Sequence, residues 1–491
     1  MAASSSSDAR AFYAVLAVYC CCFAAMSLCP AGMGIAANSI CQRTGSSGNL
    51  TPLLFLCLNG GMLVGGPFVG RLTDAYDPNS TLCMFLLGYA ASICFLLATN
   101  WLVVLAAAFS AGFFAVGVPV CGNCLTNSAC EAYRRQPAVW INLTNACFGV
   151  GATLAPLVVH FFVGEKEKAI QAAGGEAVDE SGSAGLTSPE FHTIHPDGGA
   201  RAFVAFAAVL CACAAALRCD FMASPLSIVG LPSHTVSRSQ TAPETDCVRH
   251  AQKGEEEEGE EEEGEEEGEA ATMLRVEGDD STGRLASPPL PVPLWAIMPH
   301  LAIIGCGVGA EATFSAEVFN FALRGLFMDS DAAAKVNSTF YAVFALVRLI
   351  CVPAAAIVPP KVMVRWSCAV QLVGTALMAL GSRRGTQSQG VSSPFLCMAG
   401  IVLCGAGIAP LYAGALSLLS TRTTISGATM GRVTVAASVG AMAGPATVSY
   451  LAAADRAGPQ VMVYAATLLA VGAAAGMAGA TCIAPQATHE T

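Results

Sequence analysis

GATLAPLVVHFFV, residues 151–163, opens on a Gly-Ala-x-x-x-Pro motif inside an apolar run, and the motif returns as GAMAGP at 440–445. One such run is an ordinary apolar helix. Two, each in the penultimate apolar run of its half, point to a chain built from one unit used twice. Whether that unit sits in water or in lipid follows from composition.

Of 491 residues, 54% are hydrophobic and 12% charged, against about 25% charged in a soluble domain. So much apolar surface predicts a polytopic membrane protein. The net charge of −11 is misleading, because twelve glutamates lie in one run, GEEEEGEEEEGEEEGEA (254–270). Without that run the body is near neutral, so nothing basic invites nucleic acid, and the run itself reads as a solvated segment. The 22 cysteines fall mostly in apolar stretches such as VYCCCFAAM (18–26), with no paired CxxC or CxxC…HxxxH pattern for zinc. CGNC (121–124) has redox spacing but lies in an apolar helix rather than after a strand. The first apolar run, after MAASSSSDAR, reads as a spanning helix rather than a signal peptide.

A bilayer core takes about 20 apolar residues per helix. That ruler predicts an all-α polytopic membrane protein of twelve transmembrane helices. Six lie at about 11–36, 51–70, 81–99, 101–129, 138–163 and 200–218. Six more lie at about 294–322, 338–358, 362–381, 394–420, 426–453 and 459–483. The layout is a tail over 1–10, a six-helix half over 11–218, a linker over 219–293, a second half over 294–483 and a tail over 484–491. The linker is rich in Ser, Pro, Gly and Glu and is expected to be disordered, and 164–199 reads as an irregular loop. Arg218 and Arg284 flank the linker and tip it, with both termini, to the cytoplasm. Asn49 and Asn337 head glycosylation sequons on predicted outer loops, while the Asn79 sequon falls on the inner side.

A six-linker-six chain with matching motifs indicates parallel repeats about an axis along the membrane normal, the arrangement of major facilitator transporters. GGMLVGGPFVGRLTDAYD (60–77) carries a GRLTD core, Gly70 to Asp74, that resembles that superfamily's signature between helices two and three. The resemblance implies close helix packing at Gly70 and cross-helix pairing of Asp74 in gating; the basic cluster usual after the Asp is missing. Three further stretches resemble the fifth, seventh and eighth helices of the sodium-dependent glucose transporter-like branch, relatives of fucose–proton symporters. They are WINLTNACFGVGATLAP (140–156), GVGAEATFSAEVFNFA (307–322) and STFYAVFALVRL (338–349). The stretch from Ser438 to Pro445 also fits. The chain departs from the branch at two places. Pro119 stands at the fourth-helix Asp position, with Gly122 and Asn123 kept, and Asn145 stands at the fifth-helix His position.

Ionisable residues inside a membrane are costly and mark a partner or a cavity. Glu311 lies roughly 24 Å along the seventh helix, towards the outer side. Two readings stay open. It binds a sugar hydroxyl or a coupling ion, or it is permanently paired with Arg348 of the eighth helix. Asn123, Asn142, Asn145, Asn320 and Gln371 are neutral groups that either read hydroxyls or bond neighbouring helices. Asn142 and Asn145, three apart, share a helix face. Trp140, Phe148, Phe314, Phe319 and Tyr412 either stack on a ring or simply pack. His160 and His300 lie near helix ends, and Glu317 is read as solvated.

The expectation is a transporter rather than an enzyme, since no catalytic set, phosphate loop, metal cluster or cofactor site is assembled. The resemblance implies a small neutral solute, a sugar, carried by alternating access. Sodium or a proton is the possible coupling ion, with Glu311 as the coupling carboxylate and Gly70, Asp74 and Arg348 in pairing or gating. The partners are then the solute and the bilayer, for a monomer in the plasma membrane. An uncoupled facilitator of another organic solute and a non-transporting sensor signalling through 219–293 remain as alternatives.

Overall fold

The computed structural model describes residues 6–46, 50–172, 196–218, 293–382, 393–453 and 460–482. The linker expectation for 219–292, with its acidic run, and the tail at 484–491 lie outside them. The N-terminal half holds α1 (Ser6–Arg43), α2 (Thr51–Ala75), α3 (Pro78–Phe95), α4 (Trp101–Ala115), α5 (Gly117–Ala132), α6 (Pro137–Ala172) and α7 (Pro196–Arg218). The C-terminal half holds α8 (Leu294–Asn320), a π turn (Phe321–Gly325), α9 (Ser330–Ala354), α10 (Pro360–Gly381), α11 (Pro394–Ile408), α12 (Leu411–Ser420), α13 (Gly427–Ala453) and α14 (Val461–Cys482). Because α4–α5 and α11–α12 are each one span broken near its middle, the described helices make twelve spans, and no strand occurs among them. Eleven spans are long and apolar enough to cross a membrane.

Local chemistry sets the helix starts. Asp77 accepts from the Ser80 amide at 2.7 Å, with Pro78 in the first turn, to begin α3. Asn100 accepts from the Leu102 amide at 2.9 Å to begin α4. Asp329 accepts from the Ala332 amide at 2.6 Å to begin α9; such caps satisfy amides the helix itself cannot. The Asp329 cap corrects one expectation. The eighth span begins at Ser330, well before 338, so Asn337 is a helical residue and not part of an outer loop. Two other boundaries also move. The chain is already helical at Ser6, inside the stretch read as a tail, and the fifth span runs to Ala172, into the stretch read as a loop.

The repeated motif has a repeated use. A Cβ on Gly151 of α6 would overlap the Ala24 carbonyl and the Ser27 hydroxyl of α1, and one on Gly440 of α13 would overlap the Gly305 carbonyl of α8. The fifth span thus packs on the first as the eleventh packs on the seventh. Small residues let helix backbones meet where lipid offers no hydrophobic drive.

The halves meet chiefly along two pairs, α2 with α13 and α6 with α9, with smaller contacts of α5 on α13 and of α6 on α12. In the first, a Cβ on Gly70 would strike the Gly427 carbonyl, and one on Gly431 would lie 2.7 Å from the Gly66 carbonyl. Asp74 closes this contact, accepting from the Gly427 amide at 2.6 Å and the Ala428 amide at 2.8 Å. A carboxylate from one half therefore caps a helix of the other, where free N–H groups and the helix dipole favour negative charge. In the second pair, Ala138 and Val139 pack with Val347 and Cys351 of α9, joined by Ala355 just past its end and Met363 of α10. We expect Asp74→Ala to cost about 1–2 kcal/mol, as loss of a strong cap does, and Asp74→Asn less. Thermal unfolding in detergent measures both, and an unchanged midpoint in the alanine variant would contradict the cap.

Candidate functional site

The seventh span, α8 with its π turn, runs to Gly325 and so puts Glu311 near its middle rather than towards one end. A carboxylate at that depth costs about 2.5–3.5 kcal/mol on insertion scales unless it is paired. Its partner is Arg348 of α9, whose Nη2 donates to Glu311 Oε2 at 3.0 Å, with side chains only 7% and 18% exposed for Arg348 and Glu311. Removing both charges from water is itself expensive. Such a pair persists only when the remaining donors are also met.

Here the guanidinium's fork is used from three sides. Nε donates to the Ala409 carbonyl at 3.2 Å and Nη1 to the Asn145 carbonyl at 3.2 Å. Asn145 belongs to α6, so Arg348 bonds across the seam to the other half. The ring of Phe344 lies 4.1 Å from the guanidinium carbon and that of Phe148, also across the seam, 5.5 Å. A Cβ on Gly149 would come within 3.3 Å of Arg348 Cδ, so glycine there leaves the arginine its path. A lysine has neither the planar fork nor the stacking face for this position. Tyr412 stands in the first turn of α12, two residues past Pro410.

Ala409 sits at the break between α11 and α12, followed by Pro410, which has no N–H to continue the helix. The matching span of the other half also breaks, at Val116, with Pro119 just beyond. Sequence reading passed over this pair of breaks. The signal was present as VGVP (116–119) and AGIAP (406–410), since interrupted segments at equivalent places in two repeats point to a transporter's binding site.

The other residues singled out from sequence are dispersed. The Asn142 amide donates to the Ala138 carbonyl at 2.7 Å, that of Asn145 to Ile141 at 2.8 Å and that of Asn123 to Pro119 at 2.8 Å, each four residues back on its own helix. Asn320 donates to Glu317 at 3.3 Å on exposed surface, more than two helical turns from Glu311. Gln371 is fully buried in α10, whose backbone there meets α11 at Gly407, and its amide has no described partner. Trp140 packs edge-on against Phe12 at 5.1 Å, and Phe314 stacks on Phe340 at 5.0 Å, so both belong to the packing. The His160 side chain lies outside the described residues.

Residues 15–167 match the family model of the Major Facilitator Superfamily. A stretch of 147 residues is 30% identical to sodium-dependent glucose transporter 1 of Xenopus laevis, covering 30% of this chain and 28% of that protein. The Homo sapiens protein of the same name is 28% identical over 144 residues, 29% of this chain and 26% of the relative. The match therefore spans less than a third of the curated relatives. Among solved structures, the transporter FucP in its outward conformation aligns with 96% of this chain and 99% of its own, at TM-score 0.60 and 13% identity. The proton:xylose symporter XylE, bound to 6-bromo-6-deoxy-D-glucose, aligns with 96% of each chain at TM-score 0.60 and 12% identity.

Proposed function

From a chain that has the major facilitator fold, and whose residues 15–167 match that superfamily, we propose a transporter of a small neutral sugar that works by alternating access between its two halves. The observation that carries the proposal is the Arg348 cluster. An ion pair and two aromatic faces gather at the seam, beside a broken helix. A sugar offers hydroxyls to a guanidinium and a carboxylate, and an apolar ring face to phenylalanine. The relatives named above are glucose transporters by name, and FucP and XylE are fucose:proton and proton:xylose symporters, which supports the sugar class, although an organic anion transporter shares the fold at TM-score 0.54. The protein acts, in this reading, as a monomer in the plasma membrane.

Coupling to sodium or a proton is assigned to Glu311. Occupancy of its carboxylate by a cation would loosen its hold on Arg348 Nη2, while Nη1 keeps its bond across the seam. Uncoupled facilitation is the second reading. It is favoured by the close pairing of Glu311 with Arg348 and by Pro119 at the position where the branch has an Asp.

The test is uptake of labelled glucose, fucose and xylose into liposomes holding the full chain, with and without sodium or proton gradients. Saturable uptake of one sugar, raised by one gradient, is expected. Equal uptake with and without gradients establishes the facilitator, and no uptake across a wider solute panel overturns transport in favour of a sensor. Glu311→Gln should then abolish accumulation against a gradient while leaving sugar exchange. Unchanged ion-dependent accumulation in that variant removes Glu311 from coupling.

A further inference from the structure

A second polar cluster lies in the C-terminal half, apart from the seam. His300 of α8 is fully buried, and neither ring nitrogen has a partner among the described residues. Helix α14 presses on the preceding residue: a Cβ on Gly476 would lie 2.9 Å from the Pro299 carbonyl, and one on Gly479 would lie 3.5 Å from the Pro299 ring. One residue beyond Gly479, the Ala480 carbonyl accepts from Arg422 Nη2 at 2.7 Å. That bond fixes Arg422 at the same end of α14 that packs on Pro299, the residue before His300.

The anchoring of Arg422 has a simple structural part. Ala480 is in the last turn of α14, where carbonyls lack intrahelical donors and the helix dipole favours a cation. That accounts for one nitrogen. Arg422 Nη1 is also buried, with no partner, and no carboxylate lies within ion-pair distance of Arg422 among the described residues. Three buried nitrogens on two side chains at this end of α14 are thus unmatched among the described residues. Leaving even one buried polar group unpaired is destabilising, and more so when it is charged. Such groups call for a missing partner, an ion or a water.

The guanidinium has no counter-charge and the imidazole offers one N–H, so an anionic oxygen is the partner that meets both donors. Location narrows this further. Arg422 follows α12 directly and precedes the Asp74-capped start of α13, so it lies where helices leave the apolar layer. His300 is about 9 Å along α8 from its first residue. Basic pockets between helices at that level take phosphate groups.

We propose that the corner formed by α8, α14 and the α12–α13 connection binds a phosphate-bearing anion, with Arg422 and His300 as its hydrogen-bonding groups. The phosphate comes from a phospholipid headgroup or from free solution. The site stands independently of the sugar reading, because it rests on other residues and tests without transport.

The experiment uses the full chain, purified in detergent and stripped of lipid, with its unfolding midpoint measured in three additions. These are phosphatidylglycerol, phosphatidylcholine and inorganic phosphate. A rise with phosphatidylglycerol and not with phosphatidylcholine is expected, and a rise with inorganic phosphate as well identifies a free-anion site. Arg422→Gln should weaken the response by about tenfold or more in apparent affinity, equal to about 1.4 kcal/mol. His300→Phe supplies a variant that keeps its fold, since an apolar ring of similar shape replaces unpaired nitrogens at little cost; it too should respond more weakly. No rise with either anion, or the full wild-type response in both variants, overturns the proposal and leaves Arg422 as a cap for Ala480.

Discussion

Arg348→Met is expected to abolish uptake and to lower stability by about 3–5 kcal/mol, the cost of stranding a buried charge once its partner is gone. Glu311 would keep its carboxylate in an apolar helix, and the carbonyls of Ala409 and Asn145 would lose their donors. The double variant Glu311→Leu with Arg348→Met removes both charges. It should recover most of the stability, because well-packed apolar replacements of buried pairs are often neutral or better. Uptake should stay lost. Measuring the midpoint and uptake of both variants separates a folding role from a transport role: uptake restored in the double variant would make the ion pair a structural clamp only.

The second large effect is expected at the glycine contact between halves. Gly70→Val puts branched carbons onto the Gly427 carbonyl at a place where two backbones touch. Overpacking of this kind costs about 1–3 kcal/mol. Here the strain is relieved by parting the halves rather than by unfolding. The equilibrium should therefore shift towards the state open at the Asp74 end, by about tenfold for each 1.4 kcal/mol. A cysteine placed at Ala428, whose amide Asp74 covers in the closed state, should react faster with a membrane-impermeant thiol reagent in the Gly70→Val background. Equal reactivity in both backgrounds would show that this contact does not hold the end shut. Uptake should fall with the shift, since a carrier held in one state cannot cycle.

Much of the fold was legible because lipid imposes a simple ruler. Runs of apolar residues gave the number and order of the spans, and the lone Glu311 and Arg348 were each other's obvious counter-charges. What stayed hidden was direction. Asn123, Asn142 and Asn145 have the composition of a hydroxyl-reading set, yet each amide turns back to a carbonyl on its own helix. Asn competes for local backbone acceptors in just this way, and spacing alone does not say which acceptor wins. The partner of Asp74 was hidden for another reason: the amides it meets are 353 and 354 residues away, and backbone amides carry no sequence signature. Asn145 contributes to the cluster, but through its carbonyl, which any residue there would supply.

The two kinds of bond that cross between the halves stand at different heights. Asp74 sits at the far end of α2, whereas Arg348 reaches towards the middle of α8. When two bodies rock against each other, displacement grows with distance from the fulcrum. A bond near the pivot stretches little, and one at the rim stretches most. If the proposed cycle holds, the Arg348–Asn145 contact would serve as an axle that survives most of the swing, while the Asp74 cap would act as a catch released on every stroke. Turnover would be governed by the catch and fidelity by the axle, so changes at the two ends of the same seam should leave separate marks on rate and on selectivity.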